Sequence, residues 1–243
     1  MSVCRILGVP FANISPSEAV DKVISYLNSN GKSMIFTPNP EMVMEARKNR
    51  EFMEVLNSST MNVPDGIGII YGSRFTSNPI KERVAGYDLM LGVFDRMKDM
   101  GKTAYFFGGA PGIADRAKFA IEERFPGLKV VGTANGYFDK NREKEIVAEI
   151  NELKPDLLLV GIGFPKQEKW IYDNIKDLNI KAAVGVGGSF DGWCGNVPRA
   201  PKFFIDHNIE WFYRLIKQPS RIGRMMQLPL FMLVVIRNKI FGK

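Results

Sequence analysis

Two hydrophobic periods alternate along this chain. Behind Ser15, the residues Ala19, Val20, Val23, Ile24 and Leu27 recur at helical spacing on one face. Ser15-Pro16-Ser17-Glu18 supplies the start: a capping serine, a proline suited to the first helical position, and a glutamate that completes a capping box. Gly31 ends that helix. Ser33 to Phe36 is short, apolar and strand-like, and Thr37-Pro38-Asn39-Pro40 closes it. A helix from Glu41 to about Leu56 leads into a second short strand, Met61 to Val63, which Asp65 and Gly66 break before an apolar helix begins at Ile67. A polar loop around Arg83 precedes a helix from Leu89 to Met97, with Asp88 as its cap.

From Lys102 the alternation is regular. Strands are expected at Thr103–Phe107, Leu128–Val131, Asp156–Val160 and Lys181–Val184. Helices between them run to about Phe125, from Arg142 to Leu153, and from Trp170 to Ile175. Strand–helix alternation of this kind predicts an α/β fold: a Rossmann-like wound, mostly parallel sheet with right-handed crossovers and helices on both faces. No repeat, low-complexity run or linker interrupts the chain before about Gly195, so residues 1–195 are expected to form one α/β core.

After Pro198-Arg199-Ala200-Pro201 the pattern changes, and 196–243 reads as a helical appendage. Glu210 to Lys217 is amphipathic, with Trp211, Phe212, Leu215 and Ile216 apolar. Arg214, Lys217, Arg221 and Arg224 fall within about 80° of arc if helical spacing persists, although Pro219 interrupts it. Met225 to Ile236 is apolar, broken by Pro229, and followed by Arg237 and Lys239. It is too short to span a bilayer and suits a segment lying in the membrane interface. The alternative is a helical hairpin packed on the core or on a sister subunit, which leaves a homo-oligomer open.

Charge sharpens this reading. The chain holds 33 Lys and Arg against 26 Asp and Glu, a net +7. From Gly195 onward basic residues dominate so strongly that the tail carries the whole surplus. Anionic partners follow: phosphates or an acidic membrane surface. Nucleic acid fits poorly, because the basic residues stand beside a large apolar surface. Cys4 and Cys194 have no metal-type spacing and point to a reducing compartment. With no signal-peptide pattern at the N-terminus, a cytoplasmic protein is expected.

Candidate chemistry lies at the strand ends. In a wound sheet, a polar residue just past a strand's carboxyl end points into the ligand crevice. Asp65 holds such a place, as a general base or merely as a turn and cap residue. Thr37 and Asn39 sit on a loop stiffened by two prolines, or cap the next helix. Arg83 is a ligand cation or a solvated surface charge. Three strands end in glycine-rich turns that contain Gly108 and Gly109, Gly161 and Gly163, and Gly185 and Gly187. Such turns let backbone N–H groups approach a diphosphate, or simply pack strand against helix. Tyr137 stacks on a base or packs inward, and Asp191 accepts from a ribose or caps a helix.

Several sites are excluded. The dinucleotide fingerprint fails, because its sixth position is Lys166 counted from Gly161 and Phe190 counted from Gly185. That argues against a nicotinamide or flavin oxidoreductase. There is no Walker loop, nucleophile elbow or Asp-x-Asp pair. Without the last, charge on a leaving diphosphate falls to arginines, lysines and backbone amides rather than to a metal. His207, the single histidine, stands next to Asp206 in the tail and reads as a partly buried structural residue.

The motifs resemble those of the WecG/TagA/CpsF glycosyltransferases over nearly the whole chain. The resemblance rests on Thr37-Pro38-Asn39-Pro40-Glu41, Pro64-Asp65-Gly66, Arg83-Val84 with Gly86 and Asp88, and Gly108-Gly109. It continues through the run Gly161 to Glu168, Gly187-Gly188-Ser189-Phe190-Asp191 with Gly195, and Arg199-Ala200-Pro201. What it implies is an inverting transfer with neither metal nor cofactor. The donor would be UDP-N-acetylmannosamine, and the acceptor N-acetylglucosamine on undecaprenyl diphosphate at the inner membrane face. Asp65 would deprotonate the acceptor hydroxyl, with Thr37, Asn39 and Gln167 lining the pocket beside it. Arg83 would neutralise the leaving diphosphate, and Arg214, Arg221 and Arg224 of the appendage would close the site and dock on the membrane. The family includes members that use other sugars, a uronate among them, and these motifs do not separate them. A non-catalytic, membrane-peripheral sensor of a nucleotide sugar is the remaining alternative.

Overall fold

The structure is a computed structural model that describes residues 2–207, 209–217, 223 and 226–241. It opens with a hairpin that the hydrophobic pattern did not announce. β1 (Val3–Ile6) and β2 (Val9–Ala12) pair antiparallel as a small sheet of their own. Leu7 and Gly8 make the turn at φ 49° and 92°. Four-residue strands with a proline in one of them carry too little alternation to be read from sequence.

α1 (Pro16–Leu27) begins as expected. Ser15 Oγ accepts from the Glu18 N–H at 3.2 Å, and Glu18 Oε2 accepts from the Ser15 N–H at 2.7 Å. β3 (Ser33–Phe36) follows. The single helix expected from Glu41 to Leu56 is in fact two, α2 (Pro40–Lys48) and α3 (Arg50–Asn57). Asn49 breaks it with an extended backbone, and its side chain caps α3 by accepting from the Phe52 N–H. Asparagine competes with the helix for its own backbone, which makes it a break point that hydrophobic spacing cannot show.

β4 (Met61–Asn62), α4 (Ile67–Ser73) and α5 (Gly86–Met97) complete the first half. The second half reads β5 (Thr103–Gly108), α6 (Ile113–Arg124), β6 (Lys129–Ala134), α7 (Lys140–Leu153), β7 (Leu157–Gly161), α8 (Lys166–Asn174), β8 (Ala182–Gly185) and α9 (Ser189–Trp193). The strand expected at Leu128–Val131 thus runs on to Ala134, and the helix expected from Trp170 starts at Lys166. α10 (Lys202–Asp206), α11 (Glu210–Lys217) and α12 (Gln227–Phe241) make up the described part of the tail.

The main sheet has six strands in the order β4-β3-β8-β7-β5-β6, and each neighbouring pair is parallel. The expected wound α/β architecture is borne out. The runs of β3, β5, β7 and β8 are largely apolar without alternation because both faces are covered. In β7, Leu157 and Leu159 join one buried cluster with α1, α5 and α6, while Leu158 and Val160 join the other with α2, α3 and α8.

α12 lies on the second of these faces. Pro229 does not break it, since it occupies the first helical turn, where no backbone donor is lost. Phe231 and Val235 are buried against α4, and a methyl group added at Gly72 would meet the Phe231 ring at 2.7 Å. One stripe of the apolar segment therefore packs on the chain's own core, while Leu230, Leu233, Ile240 and Phe241 on the rest of its surface are exposed.

Candidate active site

Parallel strands bring all their carboxyl ends to one edge of the sheet, and the predicted residues gather there. Val63 N–H bonds to the Phe36 carbonyl at 2.9 Å, and Asp65 N–H to the Pro38 carbonyl at 3.3 Å. These bonds lay the Pro64-Asp65 turn against the Thr37–Pro40 loop. Val84 N–H bonds to the Pro64 carbonyl at 3.0 Å and brings Arg83 in from the other side. Arg83 Nε then stands 3.6 Å from Asp65 Oδ1, with the two side chains 20% and 32% exposed. The carboxylate is thus at a rim that solvent reaches, paired with a cation, and not sealed inside. Gly66, at φ 84°, takes the cap position of α4, so Asp65 is not that cap.

Asn39 does cap a helix: its Oδ1 accepts from the Met42 N–H at 3.1 Å at the start of α2. Thr37 donates from Oγ1 to the Gly185 carbonyl at 3.4 Å, a weak tie between the ends of β3 and β8. Gly86 leaves room for it, because a methyl group there would meet Thr37 Cγ2 at 2.9 Å. Gln167, second residue of α8 and buried, reaches the same place from the opposite side of β8. Its Oε1 accepts from the Gly187 N–H at 3.0 Å, and its Nε2 donates to Glu168 Oε1 at 2.7 Å. Thr37, Asn39, Asp65 and Arg83 thus form one group, and Gln167 joins it through the backbone of Gly185.

The glycine turns lie farther along the edge. From β5 the chain leaves through α6 to β6 in one direction, and from β7 it leaves through α8 to β8 in the other. The crevice between β5 and β7 is therefore the topological switch point, where wound sheets take their ligands. β4 is three strands from β7, about 14 Å at ordinary strand spacing, so the strand that leads to Asp65 stands well along the edge from that crevice.

The glycines themselves divide. Gly108, at φ 143°, is a packing glycine, since a methyl group there would run into the Gly161 backbone. Gly109 donates its N–H to the Gly161 carbonyl and accepts from Gly136 N–H. The N–H groups of Gly109 and Gly187 are thus already bonded within the protein, contrary to the expectation that these turns aim them at a phosphate. At Gly163 and Gly187 an added methyl group would meet nothing within 4 Å, though positive φ of 82° and 53° favours glycine at both. These two turns are the open ones.

Tyr137 is 74% exposed at the end of β6, next to Gly136, which packs on Gly109 and Ile162. It is a free-standing ring, and the packed alternative fails. Asp191 lies within α9, whose cap position is Gly188, and its Oδ1 accepts from Asn196 Nδ2 at 3.4 Å. Asp88 is not the cap expected of it, because α5 already starts at Gly86. Instead Arg199 Nη2 reaches both Asp88 oxygens at 2.7 Å, with its guanidinium over the Tyr87 ring. The ion pair clasps the start of the tail to the helix beside Arg83. The sequence held both partners in its motifs but gave no sign that they meet. A groove of about 460 Å³ runs from Arg83 and Asp88 to Pro16, Ser17 and Val20 of α1.

Of the tail arginines, Arg214 falls on α11, while Arg221 and Arg224 lie outside the described residues. His207 is exposed, not partly buried as expected, and its Nδ1 is 2.8 Å from the Phe203 carbonyl oxygen. Among the described residues no three of His, Cys, Asp and Glu gather where a metal could sit, and no helix is long and apolar enough to cross a membrane. Both cysteines are free.

Comparison with known proteins adds an independent line. The family model described as the glycosyl transferase WecG/TagA/CpsF family matches residues 4–243. The chain is similar to the N-acetylglucosaminyldiphosphoundecaprenol N-acetyl-beta-D-mannosaminyltransferase of Bacillus subtilis, with 36% identity over 98% of this chain and 93% of the relative. The protein of the same name from Bacillus spizizenii is 36% identical over 88% of this chain and 83% of the relative. The one from Staphylococcus aureus is 32% identical over 96% and 92%.

Proposed function

The chain belongs to the WecG/TagA/CpsF glycosyltransferase family, and from that premise we propose that it moves N-acetylmannosamine from UDP-N-acetylmannosamine to N-acetylglucosamine-diphospho-undecaprenol. The relatives' printed names support the sugar transferred and the acceptor. Such a step belongs to linkage-unit synthesis for wall teichoic acid. One observation carries the assignment of the site: a rim carboxylate, Asp65, lies 3.6 Å from the arginine Arg83, beside Thr37 and Asn39.

In the proposed reaction an acceptor hydroxyl attacks the anomeric carbon from the face opposite UDP. The carbon–oxygen bond to the diphosphate breaks, the configuration inverts, and the hydroxyl proton passes to Asp65. One base suffices, because an inverting displacement makes no covalent enzyme intermediate. Negative charge on the departing UDP is met by Arg83 and by Arg214, Arg221 and Arg224 of the tail, without a divalent metal. Thr37, Asn39 and Gln167 orient the acceptor. The open turns at Gly163 and Gly187, with Tyr137 and Asp191, hold the nucleotide. The acceptor's lipid places the enzyme on the cytoplasmic face of the membrane, where the exposed apolar stripe of α12 and the basic tail meet the surface. Another UDP-sugar donor, a uronate for instance, would leave the same machinery in use.

The test is UDP release with a short-chain lipid diphosphate acceptor. Asp65→Asn is expected to lose at least about 100-fold in turnover while still binding UDP, since general bases contribute 10²–10⁴. Near-normal turnover in that variant removes Asp65 from the role.

A further inference from the structure

Glu168 is a buried acid that the proposed transfer does not use. It is the third residue of α8 and has no exposed surface. Its Oε1 accepts from Gln167 Nε2 at 2.7 Å. Its Oε2 is buried and finds no hydrogen-bond partner among the described residues. Desolvation pushes the carboxyl up to about 7, against the smaller opposing pull of the Gln167 bond and of its own backbone N–H. A carboxylate sealed away without a cation is costly for a fold. An apolar side chain of similar shape would be the cheaper choice for stability alone, so the buried oxygen calls for another explanation.

The neighbours supply it. An amide such as that of Gln167 has two ends, and a half-turn exchanges the donor for the acceptor. The Gly187 N–H requires the oxygen on its side, and Glu168 requires the NH₂ group on the other. Gly185, the last residue of β8, is shaped around this pair: an added methyl group would stand 2.9 Å from Gln167 Nε2 and 3.1 Å from Glu168 Oε1. The carbonyl of the same Gly185 receives Thr37 Oγ1. A single chain of contacts thus runs from Glu168 through Gln167 to the open Gly187 turn, and across β8 to Thr37.

We propose that Glu168 is a positioning residue for the transfer: it fixes the amide of Gln167 in one orientation, and through it the Gly187 turn. The carboxyl serves in either protonation state, because a neutral acid still offers its carbonyl oxygen to Gln167. Glu168 itself does not reach the substrate. The proposal rests on the transferase reading above only for its kinetic arm.

Two substitutions separate the parts. Glu168→Gln keeps an oxygen for Gln167 Nε2, while Glu168→Met keeps the shape and removes the oxygen. In UDP-release assays Glu168→Met is expected to lose about ten- to one-hundred-fold in kcat/KM for the lipid acceptor, the cost of leaving the buried Gln167 NH₂ group without its acceptor, and Glu168→Gln to stay within about threefold of the native enzyme. In a Gln167→Ala background the Glu168→Met change should cost less than about twofold, because its route of action is gone. Equal losses in both backgrounds would make Glu168 merely structural and overturn the proposal, as would a loss beyond about tenfold in a folded Glu168→Gln protein.

A second readout needs no turnover. Side-chain amide exchange at Gln167, followed by NMR, is expected to be slow in the native protein and in Glu168→Gln, and fast in Glu168→Met. Unchanged exchange in Glu168→Met ends the proposal. If Glu168→Met does not fold, slow Gln167 exchange in Glu168→Gln upholds the proposal, and fast exchange there ends it. A native protein that releases no UDP with any acceptor would count against the transferase reading and leave the exchange experiment to decide on Glu168.

Discussion

Phe231→Ala tests whether the tail is built onto the core as described. The ring is fully buried against α4, where Gly72 has no side chain to hold it off. Removing a buried phenylalanine costs the transfer of its carbons plus the cavity left behind, about 3–5 kcal/mol. At about 2–4 °C per kcal/mol for a chain of this size, the expected fall in Tm is about 6–20 °C. A terminal helix offers a second route: α12 detaches before the core melts, which caps the loss and leaves residues 227–241 open to protease. Leu233→Ala is the control, two residues on and 66% exposed, and is expected to change stability by no more than about 0.5 kcal/mol. Calorimetry and limited proteolysis on both variants decide the matter. If Phe231→Ala keeps the native Tm and the native protease resistance, or if Leu233→Ala costs as much, the packing of α12 is not as described.

Three further outcomes are expected. The Glu168 carboxyl ionises near 4.5 in the unfolded chain and near 7 in the folded one, so stability is lost as pH rises through that window. Between about pH 4.5 and 7 the native protein should fall relative to Glu168→Gln by on the order of 3 kcal/mol in denaturant titrations, and a constant difference across that range would refute the burial argument. Gly108→Ala puts a methyl group into the Gly161 backbone at φ 143°, so it should destabilise by about 3 kcal/mol or more, and a native Tm would refute the close approach of β5 and β7. Chelation by EDTA should leave UDP release unchanged, whereas a loss restored by a divalent cation would contradict charge neutralisation by arginine.

The elements that sequence spacing located best were those with strong local signals. Ser15 and Glu18 announced α1, and the apolar runs of β3, β5, β7 and β8 were found to within a residue or so. Where a local side chain overrode the period, the reading failed: Asn49 split one expected helix, and the Leu7-Gly8 turn made a hairpin too short to see. Pro229 reads as a break in the sequence because proline usually is one, and only the start of α12 shows why it is tolerated there. At the site, strand ends marked Asp65, Thr37 and Asn39 because sheet topology alone fixes where such residues emerge. Pairings between distant segments were not legible. Arg199 with Asp88 and the amide bridge from Glu168 to Gly187 depend on how loops fold back, which no spacing records.

The seat of α12 also bears on how this protein is made. The helix that begins just after Asp65 is bedded, through Gly72, on Phe231, which the chain reaches only after β8. While the polypeptide is being synthesised, that partner emerges later than every strand of the sheet, and until then the seam on α4 stays uncovered. A premature stop ahead of Phe231, or a bulky fusion that hinders α12, would leave the remainder of the sheet complete and this groove bare. The codons for α12 thus matter to α4 more than their distance along the message would imply.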